Sequence, residues 1–187
     1  MTPDTPAVPA DGSATRPATR IDDVPDRWDE RTVLTTMLDY VRDTVPAKCA
    51  GISEADARRA PLPGSPLMTI SGIVSHLRWV EYSWIELKLL GGTEDRAPWT
   101  EEDPDREMRI ATQIPIATLL ADYSAACARH RDLVAPLDLD TPSRGDLGWR
   151  DEPVTLRWIL QHLIEETARH NGHLDILREM ADGVTGQ

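Results

Sequence analysis

The sequence predicts an all-α protein, a four-helix bundle with long connections between its helices. Three observations carry this reading. Four segments of about 18 to 26 residues repeat large apolar side chains at helical spacing. No segment sustains the strict apolar and polar alternation of a half-buried strand. Proline and glycine clusters separate the periodic segments, where connections belong.

The first helix is expected over residues 28–45, where Val33, Leu34, Met37, Leu38, Val41 and Val45 share a face and Pro46 ends the run. Residues 50–68 hold one helical turn, Ser53 to Arg59, with Ser53 as its cap, before three prolines break the pattern. Thr69 caps a second helix carrying Ile70, Ile73, Val74, Leu77, Val80, Trp84 and Leu87, and Gly91-Gly92 stops it. Residues 93–114 are acidic and irregular, and Trp99 is the one aromatic anchor expected to hold them across the surface at a site mouth. Pro115 suits the first turn of a third helix, with Ile116, Leu119, Leu120, Tyr123, Cys127, Leu133 and Val134 in rhythm until Pro136. A second connection covers residues 136–154, with its glycines read as turns. Thr155 then opens the last helix, which runs to about Met180 with Leu156, Ile159, Leu160, Leu163, Leu174 and Leu177 on one face.

The 187 residues, 40% of them hydrophobic, suffice for one core and leave no room for a second catalytic domain. Residues 1–25 hold five of the 15 prolines amid Thr, Asp and Ala, so a disordered or loosely attached arm is expected there, ahead of a bundle domain over residues 26–187. That stretch lacks the apolar centre of a secretory signal, and no apolar run approaches the roughly 20 residues a bilayer requires. A cytoplasmic protein with no membrane partner is expected. Lys plus Arg number 20 against 32 Asp plus Glu, a net charge of −12 with no basic block, which argues against a nucleic-acid partner. Cys49 and Cys127 stand apart from each other and from any second cysteine that could share a metal; both are expected as buried free thiols.

All five histidines fall on expected helices, and three of them, His162, His170 and His173, fall on the last. At about 100° per residue His170 lies roughly 30° from the centre of the apolar stripe, and Glu166 roughly 40° further round. A carboxylate and an imidazole at i and i+4 can share one cation, and a carboxylate beside an apolar face needs such a partner. Two ligands are too few for a tight site, and side chains from different helices converge inside a bundle, so His76 of the second helix is the natural third. His162 and His173, on the edge beside Glu166, could orient a ligand by hydrogen bond or replace one. The same residues also read without a metal: Glu166 paired with Arg169 or Arg157 at the surface, and His170 bonded to a carbonyl in the core. His130 reads as a plain exposed or half-buried histidine. No H-E-x-x-H string, paired Glu-x-x-His repeat, G-x-S-x-G elbow or phosphate loop is present.

Two strings, TLRWILQHLIEETARHNGHLDILRE at residues 155–179 and ISGIVSHLRWVEYSWI at residues 70–85, resemble the DinB-like superfamily. Within it they are similar to the branch of mycothiol-dependent enzymes, the mycothiol S-transferases and the N-terminal part of maleylpyruvate isomerase. The resemblance covers residues from about 28 to 180. It implies a DinB-type four-helix bundle and a divalent metal, most often zinc, held by His76, Glu166 and His170. Many relatives read His-Arg-Gly-Gln at the last ligand, where this chain reads His170-Asn-Gly-His173.

The implied function is a metal-dependent thiol S-transferase: mycothiol, or a similar low-molecular-weight thiol, bound as a metal thiolate and attacking an electrophile such as an epoxide, alkyl halide or activated sugar. The catalytic set is the metal ligands alone. Arg78, Trp79, Trp99 and Trp149 are candidates for holding the sugar part of the thiol. The alternatives are a metal-dependent hydrolase that activates water, and a non-catalytic, stress-related metal-binding bundle. Partners are then a small-molecule thiol and an electrophile, and a homodimer through helix faces suits the fold.

Overall fold

A computed structural model describes residues 21–93 and 96–185. The expected arm lies outside the described residues up to residue 20; residues 21–25 carry no helix, and the Ile21 N–H donates to Asp43 at 2.9 Å. The described residues form helices and no strand, with one isolated bridge between Pro142 and Thr155. The protein is all-α.

Helix α1, Glu30–Cys49, starts where the Asp29 carboxylate accepts the Thr32 N–H. It runs through Pro46, which was expected to end it. Proline removes one backbone donor, and so near the C-terminus that loss is outweighed by burying Val45 and Cys49 in the core. Helix α2, Glu54–Arg58, is capped by Ser53 as expected, and Glu54 in turn accepts the Ile116 N–H at 3.0 Å, capping another helix from a distance. Helix α3, Ile70–Tyr82, opens on Thr69 and continues as a π-helical segment, Ser83–Leu89, in which the Leu90 N–H reaches back five residues to Ile85. Gly91, at φ +72°, lets the chain turn away.

Helix α4, Arg106–Ala111, occupies part of the stretch expected to be irregular. Ala111 is fully buried and Met108 packs against the same core, so tertiary contact holds a turn too short to stand alone. Helix α5, Ile116–Val134, begins one residue later than expected, with Pro115 as its cap. Helix α6, Leu156–Asp182, starts at Thr155 and ends on Gly183 at φ +78°.

The interior divides into two apolar clusters, and every long helix passes from one to the other. Helix α1 moves from Leu38 and Val41 in one cluster to Val45 and Cys49 in the other. Helix α6 moves the same way, from Ile159 and Leu163 to Leu174 and Leu177, so the two run parallel. Helices α3 and α5 run opposite, from Ile73 and Leu119 towards Ile85 and Val134. Helices α3 and α5, being parallel, need a connection that travels the length of the bundle, and the described residues 90–93 and 96–115 belong to it.

Polar side chains sit at each changeover: Arg42, Glu81, His130, and the stretch from Glu166 to Asn171. Arg42 donates two hydrogen bonds to Glu81, at 2.7 and 2.6 Å, with both side chains buried. His130 is also buried, at 1% exposure, correcting the exposed or half-buried expectation. Its Nδ1 lies 3.1 Å from Glu81 and its Nε2 3.1 Å from Glu86. Glu81 and Glu86 would lie roughly 140° apart on an ideal α-helix; the wider π turn brings both carboxylates to one imidazole.

The 136–154 connection lies against this π segment. The N–H groups of Arg144 and Gly145 donate to the Lys88 carbonyl at 3.1 and 2.8 Å. A Cβ on Gly145 would fall onto the Leu87 carbonyl oxygen, so this glycine serves close approach rather than a turn. No helix among the described residues is long and apolar enough to cross a membrane.

Candidate metal centre

Antiparallel packing of α3 on α6 brings His76 against Glu166 and His170 in the polar layer. Glu166 Oε1 lies 3.5 Å from His76 Nε2 and 3.3 Å from His170 Nε2, and one ligand atom of each residue lies within 4.8 Å of the others. Metal–ligand bonds of about 2.0 to 2.2 Å place neighbouring ligands of a tetrahedron roughly 3.3 to 3.6 Å apart. Charge-assisted hydrogen bonds are usually shorter, about 2.7 to 2.9 Å. The spacing is therefore loose for an ion pair and matches two edges of a coordination tetrahedron. Side-chain exposures of 27%, 17% and 13% for His76, Glu166 and His170 leave the cluster open to a small molecule.

Hydrogen bonds from His170 and His76 hold the Glu166 carboxyl well below the usual carboxylate range, against the opposing effect of burial. Burial alone would push the His76 imidazole down; Glu107 and Glu166 overcome it and raise the group to about 9. Without an ion, a protonated His76 faces two carboxylates with one positive charge, and a divalent cation in its place would supply two.

The outer ring nitrogens are also engaged. His76 Nδ1 donates to Glu107 Oε1 at 3.1 Å, which leaves Nε2 facing Glu166. His170 Nδ1 lies 3.3 Å from His173 Nδ1, which puts His173 within hydrogen-bonding distance of a candidate ligand. Burial, together with the His170 and Arg169 charges, lowers the pKa of His173 and so favours its neutral form.

His162, the other expected helper, packs against Trp158 and Trp84 one turn away, with ring centroids 5.1 and 4.6 Å apart. Arg78 pairs with Asp122 of α5 at 3.2 Å and lies over the Trp79 ring. Trp79 and Trp99 meet edge to face at 6.1 Å, so the crossover does carry its aromatic anchor. Trp149 is 59% exposed on the second connection, 6.3 Å from Trp158. Cys49 and Cys127 are free and buried, and burial pushes both thiols up to about 12, which removes them as nucleophiles near neutral pH.

Glu107 is the residue that sequence reasoning missed. It is 4% exposed, and its second carboxylate oxygen, Oε2, has no hydrogen-bond partner, which adds to the demand for a cation nearby. A signal was present: Asp103-Pro104 can start a helix, and Met108 and Ala111 follow at a spacing of three.

Comparison with curated protein sequences gives no match. A family model described as mycothiol-S-transferase matches residues 33–183, which takes in the buried residues of all four long helices and every residue of the His76, Glu166 and His170 cluster. With that match over most of its length, the chain belongs to the mycothiol-S-transferase family.

Proposed function

We propose that this protein is a divalent-metal-dependent thiol S-transferase, with zinc held by His76, Glu166 and His170 and mycothiol, or a similar low-molecular-weight thiol, as the sulfur donor. The observation that supports it is the pair of 3.3 and 3.5 Å separations around Glu166 Oε1, set in a half-buried cluster. When bound, the ion lowers the pKa of an incoming thiol and holds it as a thiolate.

The protein's own groups then act as follows. Glu107 fixes the His76 tautomer from behind, and His173 orients His170. Glu166 supplies one negative charge and the two imidazoles none, so the three ligands would leave a divalent ion one net positive charge toward an anionic sulfur, part of it offset by the Glu107 carboxylate behind His76. The thiol proton passes to solvent. Sulfur forms its bond to the electrophilic carbon as the leaving group departs with its electron pair. The buried cysteines take no part.

Metal content of untagged protein, read by mass spectrometry beside Glu166→Ala and His170→Ala, tests the reading. One equivalent of a divalent metal in the parent, lost in both variants, together with turnover that requires added thiol, is the expected result. Parent protein that takes up no metal on reconstitution overturns it, and thiol-independent turnover transfers the site to metal-assisted hydrolysis.

A further inference from the structure

The side-chain row that forms the candidate centre continues beyond it. Counting back in fours along α6, His170 and Glu166 are followed by His162 and Trp158; counting forward along α3, His76 leads to Trp84 in the π segment. Because the helices are antiparallel, the register that sets His76 against Glu166 also sets Trp84 against Trp158, with ring centroids 5.3 Å apart. His162 lies flat on Trp158, with an interplanar angle of 9°, and edge-on to Trp84. Trp149 borders the group from the second connection. Trp158 and Trp149 remain 38% and 59% exposed, so three indoles and an imidazole form a partly open aromatic surface. Trp84 packs on the apolar core, which leaves Trp158 and Trp149 to present the open part of this surface beside the candidate centre, the kind of exposed apolar patch that holds a ligand.

Position and charge narrow the occupant. His162 is one helical turn from Glu166 and Trp158 is two, about 6 and 12 Å along the axis. That reach suits a ring system tethered to a sulfur at the centre. Lys88 Nζ lies 5.0 Å from the Trp84 centroid and Arg150 Cζ 5.5 Å from that of Trp149, so protein cations already serve these faces. Lys88 also donates to Ser83 Oγ at 2.8 Å and Arg150 pairs with Glu152 at 3.3 Å, so both cations are held where a cationic ligand would meet like charge. A neutral cyclic polyol can lay its C–H face on the rings and accept hydrogen bonds from Lys88 and Arg150 at its rim.

Resting on the transferase reading above, we infer that the surface formed by Trp84, Trp158, His162 and Trp149 is the subsite for the sugar part of the thiol. It seats a neutral polyol ring while the sulfur reaches the His76, Glu166 and His170 cluster. Of the residues expected from sequence to hold that sugar, Trp149 is the one that reaches this surface. The inferred role for His162 is to keep the Trp158 ring in place.

Calorimetric titration of the metal-loaded protein with mycothiol and with N-acetylcysteine, which keeps a thiol and lacks the sugar, tests the inference. The parent should bind mycothiol more tightly. Trp158→Ala should weaken mycothiol about tenfold while changing N-acetylcysteine less than about twofold, with metal content unchanged. Trp149→Ala, on an exposed connection, should give a smaller loss of the same selectivity and carries the test if Trp158→Ala misfolds. Equal affinity of the parent for the two thiols, or equal weakening of both in the variants, overturns the subsite and leaves the transferase reading standing. Failure of the parent to bind either thiol removes both.

Discussion

Glu107 Oε1 accepts a hydrogen bond from His76 Nδ1 at 3.1 Å, on the side of the ring opposite the nitrogen that faces Glu166. A buried carboxylate on the crossover thus sets the orientation and tautomer of a histidine on α3. Replacing such a partner typically lowers metal affinity about 10- to 100-fold. Glu107→Gln, which keeps one acceptor, should fall near the lower end, and Glu107→Ala near the upper. Competition with a chromogenic chelator measures both, and affinities equal to the parent's would show that His76 needs no such support.

The buried pair of Arg42 and Glu81 should shape acid stability. Burial by itself raises the Glu81 carboxyl, but the Arg42 guanidinium and His130 outweigh it and hold the group at about 2, against an ordinary value of 4.5. A carboxyl whose pKa is lower in the folded state stabilises the fold fully above its unfolded value and loses that contribution as pH falls through the folded one. Urea unfolding should therefore lose about 3 kcal/mol from this group as pH drops from roughly 5 towards 2. Glu81→Gln leaves the buried Arg42 charge with Asp39, at 3.3 Å, as its remaining carboxylate partner and should cost about 3 kcal/mol near neutral pH, with a flatter acid limb. An unchanged acid limb in that variant would assign the pH dependence to other carboxyls.

Gly145 lies where the second connection meets the π segment, and a Cβ there would come 3.1 Å from Lys88 Cα as well as onto the Leu87 carbonyl. Gly145→Ala must push the connection away and weaken the Gly145 N–H bond to Lys88. A loss of about 1 to 3 kcal/mol is expected, read as a lower Tm. Gly148→Ala makes a useful contrast. Its φ of +75° strains an L-residue, yet a Cβ there meets nothing within 4 Å, so the penalty should be about 1 kcal/mol. Equal stability of Gly145→Ala and the parent would show that the connection is not held as described.

Much of the fold was legible in the chain because amphipathic helices write their own boundaries. Ser53, Thr69 and Thr155 each cap the helix that follows through a side-chain oxygen, a preference local enough to read from residue type alone. Pro46 misled for the same reason: its local penalty is real, and the burial of Cys49 that overrides it depends on residues far away in sequence. Helix α4 escaped notice because one turn carries too little periodicity, and its stability comes from packing rather than propensity.

For the candidate centre, the sequence alone sufficed for what one helix can encode: Glu166 and His170 share a face because they lie four residues apart. The proximity of His76, the arrival of Glu107 and the stacking of His162 on Trp158 depended on the antiparallel register of α3 and α6 and on the long crossover between α3 and α5. Helical periodicity is a local property of the backbone. Register and crossover path arise from burying two apolar clusters at once, a condition on the whole chain that no single segment contains.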